Sequence, residues 1–224
     1  MAKKLVHGVG INDSSTPIFK EVKINGQRKV VWRCPIYVLW VNMLARVYCE
    51  QELQKRPRYR DCYVCEEWLT FSNFRSWVLS QDWEKKVLDK DLKKPGNKEY
   101  GPDSCLFISQ PLNNFLNENP NRRGDYPLGV SKKRDSDRLY VSGGSGVANK
   151  NAYIGRCALP MEGHMMWLKW KIGKLDSIIK EAEDSVKDYL VKFKEILEYH
   201  LENELEYKGR DFIKVGENYE LCRK

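Results

Sequence analysis

Hydrophobic and polar positions alternate from Lys20 to Arg33 around Asn25-Gly26, and this pattern predicts a β-hairpin. Cys34-Pro35 then opens a helix, with Pro35 suited to a first turn where its missing N–H is no loss. Ile36, Leu39, Trp40, Met43, Leu44 and Val47 recur at helical spacing and form one apolar stripe. A second helix is predicted from about Ser72 to Trp83, with Phe71, Phe74, Trp77 and Val78 facing inward. Two short strands follow, Val87 to Leu92 and Cys105 to Ile108, separated by a polar turn with Pro95-Gly96-Asn97 and Gly101-Pro102-Asp103. A helix from about Pro111 to Asn117 closes a small strand-loop-strand-helix unit, a ββα arrangement.

Residues Asn117 to Gly124 hold no apolar side chain and read as a linker. Beyond it, three short strands are expected at Tyr126 to Lys133, Arg138 to Ser142 and Asn151 to Arg156, with Gly143-Gly144-Ser145-Gly146 as a turn. From about Met161 to Tyr207 the pattern is helical. Ile172, Ile179, Val186, Phe193 and His200 share one heptad position, and Leu175, Ala182, Tyr189 and Ile196 share the other. Such a seam fits a coiled coil with another chain or a helix laid on the protein's own body. The pattern gives an α+β fold in three parts: residues 1–118, 119–170 and a helical extension over 171–224. No long internal repeat is present.

Composition adds a partner class. The 224 residues are 42% hydrophobic, with 7 Trp, 12 Tyr and 7 Phe, enough for real cores. Lys and Arg number 39 against 31 acidic residues, a net +8 that favours a polyanionic partner. The run Lys55-Arg56-Pro57-Arg58-Tyr59-Arg60 is a basic loop able to lie on phosphates or to stay solvated. Seven cysteines, several inside apolar runs, and a start without an apolar leader region predict a cytoplasmic protein with reduced, mostly buried thiols. No apolar stretch approaches a membrane span. Cys62 and Cys65 form one close pair, with Cys34 and Cys49 scattered; a structural zinc site uses two close pairs, so free thiols are expected.

The segment from Leu88-Asp89-Lys90-Asp91-Leu92 through Gly101-Pro102-Asp103-Ser104-Cys105 to Asn113-Asn114 resembles the HNH (His-Me finger) core of phage and intron homing endonucleases. The helix Trp40 to Cys49, and Cys62-Tyr63-Val64-Cys65 followed by Phe71-Ser72-Asn73-Phe74, resemble what precedes that core in phage proteins of this type. Tyr126-Pro127-Leu128-Gly129-Val130-Ser131 and Tyr153-Ile154-Gly155-Arg156 resemble the three-stranded DNA-reading domain of plant ethylene-response factors. The resemblance covers roughly residues 30 to 170 and rests on the order of these motifs along one chain.

The resemblance implies a phage protein acting on double-stranded DNA in an infected bacterial cell, with Mg²⁺ or Mn²⁺ as the metal of any cleavage. It places Asp89, Lys90 and Asp91 at catalytic positions and Asp89, Asp91 and Asn113, with Asn114 as the alternative to Asn113, at metal-ligand positions. Two name-giving positions depart from the family: Lys90 stands where the general-base His belongs, and Ser104 stands near the middle Asn. Asp91, two residues from Asp89, would share its strand face. The other outcome for these residues is a charged turn that binds no metal. Expected DNA contacts are Arg56, Arg58 and Arg60 in the basic loop, and Arg122 and Arg123 in the linker. Lys132, Lys133, Arg134, Arg138 and Arg156 are expected on the strands.

Three functions stay open at this level: a metal-dependent endonuclease, a nuclease-like DNA-binding regulator without catalysis, and a phage inhibitor of a host factor. The last would work through the acidic C-terminal helix, which carries Glu181, Glu183, Asp184, Asp188, Glu195, Glu198, Glu202, Glu204 and Glu206. The same helix could mediate self-association.

Overall fold

The computed structural model describes residues 5–117, 125–133, 137–144 and 151–210. The chain divides into two compact units: residues 1–84 with 98–107, and residues 85–97 with 108–224. The fold is mixed α+β and ends in a pair of long helices.

In the first unit, β1 (Phe19–Ile24) and β2 (Gln27–Arg33) form an antiparallel hairpin. Asn25 and Gly26 both take positive φ, 50° and 81°, which is the turn that Asn-Gly favours between two twisted strands. The first helix, α1 (Pro35–Tyr48), buries the predicted stripe of Ile36, Trp40, Met43, Leu44 and Val47. A short helix α2 (Glu50–Lys55) leads into the basic loop and then β3 (Tyr63–Val64).

The next helix, α3 (Phe71–Leu79), stops short of Trp83. Its N-terminus is capped from a distance: Ser72 donates its N–H and its hydroxyl to the two oxygens of Asp13, at 2.9 and 2.6 Å. Trp40, Trp68, Phe71 and Phe74 form an aromatic core, and the Trp40 indole donates to the Trp68 carbonyl at 2.7 Å. β5 (Glu99–Tyr100) pairs in parallel with β3.

The second unit contains β4 (Lys86–Asp89) and α4 (Gln110–Leu116). Its β4 pairs with β6 (Leu106–Ser109). The predicted strand Val87 to Leu92 is therefore cut short. Asp89 accepts the N–H groups of Asp91 and Leu92 at 2.9 and 2.7 Å, and this turns the chain out of the strand. Asp91 sits in that turn and does not share a strand face with Asp89.

The rest of the unit is a three-stranded antiparallel sheet in the order β7 (Val130–Lys132), β8 (Leu139–Gly144), β9 (Asn151–Cys157). The first strand is shorter than predicted, and Gly143-Gly144 belong to β8 instead of a turn. Two residues after β9, the helix α5 (Pro160–Glu181) begins and folds back over the sheet. Its Glu162 accepts the N–H groups of Ala158 and Leu159, at 3.0 and 3.3 Å, which satisfies donors the helix start leaves free.

Glycine sets how closely α5 approaches the sheet. A methyl group on Gly163 would collide with the Cys157 sulfur and the Val130 and Val141 side chains, and one on Gly143 with the Trp170 ring. Val130, Leu139 and Val141 fill the helix-facing side of the sheet, under Trp167 and Leu168.

The long helix predicted from Met161 to Tyr207 is broken. The helix α5 ends at Glu181, Ala182 is extended, and α6 (Asp184–Glu202) starts with Glu183 as its cap residue. The two helices form an antiparallel hairpin in which Leu175, Val186, Leu190, Phe193 and Leu197 are buried, and Lys194 bridges Asp176 at 2.7 Å. The segment after α6 returns to the sheet end of the unit. The Tyr207 N–H donates to Nε2 of the buried His164, while Nδ1 of the same ring donates to the Leu128 carbonyl. These two bonds fix a neutral His164 with its proton on Nδ1. Lys171 is also buried on α5, its ammonium held 3.3 Å from the Phe115 carbonyl and about 5 Å from the Phe115 and Trp167 ring centres.

Candidate nucleic-acid interface

The face of the three-stranded sheet away from α5 carries polar and aromatic side chains. Strand alternation explains half of this. In β8, Leu139 and Val141 turn inward, so Tyr140 and Ser142 turn outward. In the ladder, Ser131 and Arg156 lie across from Tyr140 on either side, and Tyr153 lies across from Ser142.

A bulge explains the other half. Val141 pairs with Gly155 and Ser142 pairs with Tyr153, so Ile154 is an extra residue on β9. In a regular strand, residues three apart face opposite ways. The extra residue brings Tyr153 and Arg156 to the same face.

Ser131, Lys133, Tyr140, Val141, Ser142, Tyr153 and Arg156 line an open recess of about 490 Å³ on this face. The described lining contains two cations and no carboxylate. Lys133 lies 4.8 Å and the Arg156 guanidinium 5.6 Å from the Tyr140 ring centre. Both cations are thus held in place by the negative ring face without being neutralised. Tyr153 is 65% exposed, an uncovered aromatic ring at the edge of a positive recess. The arrangement can take an anion on Lys133 and Arg156 while the tyrosines contact flat or apolar groups.

Of the predicted strand contacts, Lys133 and Arg156 line this recess. Lys132 lies on the opposite register position, exposed, and pairs with Asp137 at 3.3 Å. Arg138 is exposed at the start of the sheet hairpin. Arg122, Arg123 and Arg134 lie outside the described residues. In the first unit, Arg56 pairs with Glu52 at 3.6 Å, Arg58 stacks on Tyr59, and Arg60 is exposed. Sequence reasoning missed Ser131, Tyr140, Ser142 and Tyr153. The alternation around Val141 could have found Tyr140 and Ser142, but Tyr153 depends on the bulge.

The charged turn after β4 is a buried network. Asp89 and Lys90 are 6% and 5% exposed. Arg210, also buried, approaches the two Asp89 oxygens at 3.4 Å each. The Lys90 ammonium donates to Asp91 at 2.5 Å and to the Asn97 carbonyl at 2.7 Å, and the Asn97 amide returns a bond to the Lys90 carbonyl. Burial pushes the Asp91 carboxyl above the usual range, against the opposing pull of Lys90. Asn113 sits half-buried on α4, its carbonyl accepting the Asn117 N–H. Ser104, in the first unit, donates to the Glu99 carbonyl and accepts the Gly101 N–H, which closes a tight turn.

No group of three or more His, Cys, Asp or Glu placed to hold a metal occurs among the described residues. Cys62 is buried and Cys65 half-buried, with burial raising the Cys65 thiol above its ordinary value. No helix among the described residues is long and apolar enough to cross a membrane. Comparison with protein families, with curated proteins and with solved structures finds no match for the chain.

Proposed function

We propose that this protein binds duplex DNA through the outer face of β7, β8 and β9. The recess carries the reading: two unneutralised cations, two outward tyrosines and two serines on one rigid sheet face. A sheet laid in the major groove needs such a face, with cations for phosphates or guanine edges and hydroxyls that donate or accept. The buried backing of α5 supports it, because a face held by packing loses little freedom on binding. The order of the three strands and the following helix is also that of the ethylene-response-factor domain resembled in sequence.

Binding without cleavage is the form of this function we favour. The elements β4, β6 and α4 follow in the order of an HNH-like core, which keeps the comparison with nucleases open. Arg210 and Lys90, however, lie on the Asp89 and Asp91 oxygens that a divalent ion would use, and Lys90 is committed to Asp91 and Asn97.

Fluorescence anisotropy with a labelled 30-base-pair duplex tests the binding. Affinity should fall steeply with salt, and Lys133→Ala with Arg156→Ala should reduce the salt slope by about 2. Unchanged binding by that double variant would refute the sheet-face reading. Incubation with supercoiled plasmid and Mg²⁺ or Mn²⁺ tests the second point: nicking lost in Asp89→Asn would reinstate the endonuclease.

A further inference from the structure

The hairpin of β1 and β2 is exposed at every position from Phe19 to Ile24 and from Gln27 to Arg33. This includes large apolar side chains: Phe19, Val22, Ile24, Val30, Val31 and Trp32 are all 40% to 55% exposed. A two-stranded hairpin with both faces in water is marginal by itself, so these faces are poorly explained as a structural element alone. Its charge is equally distinctive. Residues 19 to 33 carry Lys20, Lys23, Arg28, Lys29 and Arg33 against Glu21 alone, half of the net +8 of the whole chain. None of the five cations is in an ion pair with a described residue.

The register distributes these charges over the ribbon. Lys23, Arg28 and Arg33 share one face, and Lys20 and Lys29 share the other, because Val31 is the extra residue where the ladder shifts. Lys20 leans over the Trp32 ring at 5.6 Å, so this cation too is held without being neutralised. The Asn25-Gly26 turn makes the tip narrow. Seven residues give a ribbon roughly 20 Å long, and a two-stranded ribbon fits the roughly 12 Å width of the major groove.

We infer that the β1–β2 ribbon is a second DNA-binding arm, which enters the major groove of a duplex and contacts the phosphates on both sides of it. Five cations against one carboxylate give the ribbon a charge complementary to the phosphates that wall the groove. The exposed apolar side chains can contact thymine methyl groups among the base edges that form the groove floor. The proposal shares only the class of partner with the sheet-face reading and lies in the other unit.

The test uses the full chain and the same 30-base-pair duplex. A ribbon variant combines Lys20→Gln, Lys23→Gln, Arg28→Gln, Lys29→Gln and Arg33→Gln, keeps Asn25-Gly26, and is checked by circular dichroism and melting. It should bind at least on the order of 10²-fold more weakly at 0.15 M salt, with a salt slope shallower by about 4. Hydrogen exchange gives a second readout free of any folding defect: amides of residues 19 to 33 in the unmodified protein should gain protection when duplex is added.

Unchanged affinity and slope in the ribbon variant, with no added protection, overturns the arm whatever the sheet-face variant does. Loss in the ribbon variant with none in Lys133→Ala, Arg156→Ala upholds the arm and overturns the sheet-face reading. Light scattering of the unmodified protein covers the rival occupant: a dimer that the ribbon variant dissolves, with DNA affinity unchanged, assigns the ribbon to a second copy and also overturns the proposal.

Discussion

Arg156 lies directly across the ladder from Tyr140, with its guanidinium carbon 5.6 Å from the ring centre, while Lys133 approaches the same ring to 4.8 Å. One aromatic side chain therefore positions both cations of the recess. Removing the ring should do more than remove one contact, because it also frees two long side chains that must then be ordered on binding.

With two long side chains to order at about 0.5–1.5 kcal/mol each, Tyr140→Ala is expected to weaken duplex binding by about 1–3 kcal/mol, and Tyr140→Phe, which keeps the ring, by much less. A double-mutant cycle of Tyr140→Ala with Arg156→Ala should give a coupling of about 0.5–2 kcal/mol. Additive losses would mean that the ring and the guanidinium act separately.

The close approach of α5 to the sheet yields a stability prediction. Gly163 faces the Cys157 sulfur and the methyl groups of Val130 and Val141 at distances that leave no room for a side chain. Gly163→Val should push the helix off the sheet and cost about 1–3 kcal/mol or more. Gly173→Ala on the same helix, where a methyl group meets nothing, should stabilise or be neutral. Urea unfolding of the two variants checks the pair; equal effects would contradict this packing.

Asp91 gives the pH dependence. Burial raises its carboxyl above the ordinary value of 3.8, so between that value and the raised one the folded chain binds more protons than the unfolded chain. Its contribution to stability is therefore greatest in acid and declines as pH rises through this window. Asp91→Asn cannot titrate. The stability of the unmodified protein minus that of Asp91→Asn should fall as pH is raised from about 4 toward neutral, measured by urea unfolding at several pH values. A difference that grows with pH would show that the pull of Lys90 outweighs burial.

Local signals in the sequence were readable where one short motif decides the outcome. Asn25-Gly26 gave the hairpin turn, Pro35 and the stripe from Ile36 to Val47 gave α1, and the change of character after the linker marked the three-stranded sheet of β7, β8 and β9. Features decided by particular side-chain contacts, local or distant, were not. The strand ends at Asp89 because its own carboxylate recruits the N–H groups two and three residues on. The partner of Asp89 is Arg210, more than a hundred residues away. Tyr153 reaches the recess only through the extra residue Ile154, and regular alternation would have turned it inward. The heptad count ran through Ala182 because an antiparallel hairpin buries apolar residues at nearly the same spacing on both sides of its turn.

That hairpin changes what the C-terminal helices imply about association. A continuous helix with a seam from Ile172 to Ile196 would need a partner or a long surface to lie on. Folded back at Ala182, the helices cover each other's apolar residues: Val186 and Phe193 are 5% and 1% exposed within the unit. Phe193 also meets Tyr207 edge-on, in the segment that returns to His164. Val186→Glu with Phe193→Glu should therefore unfold the second unit, since two charges would be buried without partners at a cost of several kcal/mol. The acidic side chains Asp184, Asp188 and Glu195 stay exposed and are untouched by this change. The check is light scattering combined with circular dichroism. Loss of helix and of cooperative melting in the variant, whatever its size in solution, is the expected result. A variant that keeps its helical signal and passes from dimer to monomer would show instead that these residues face a second chain.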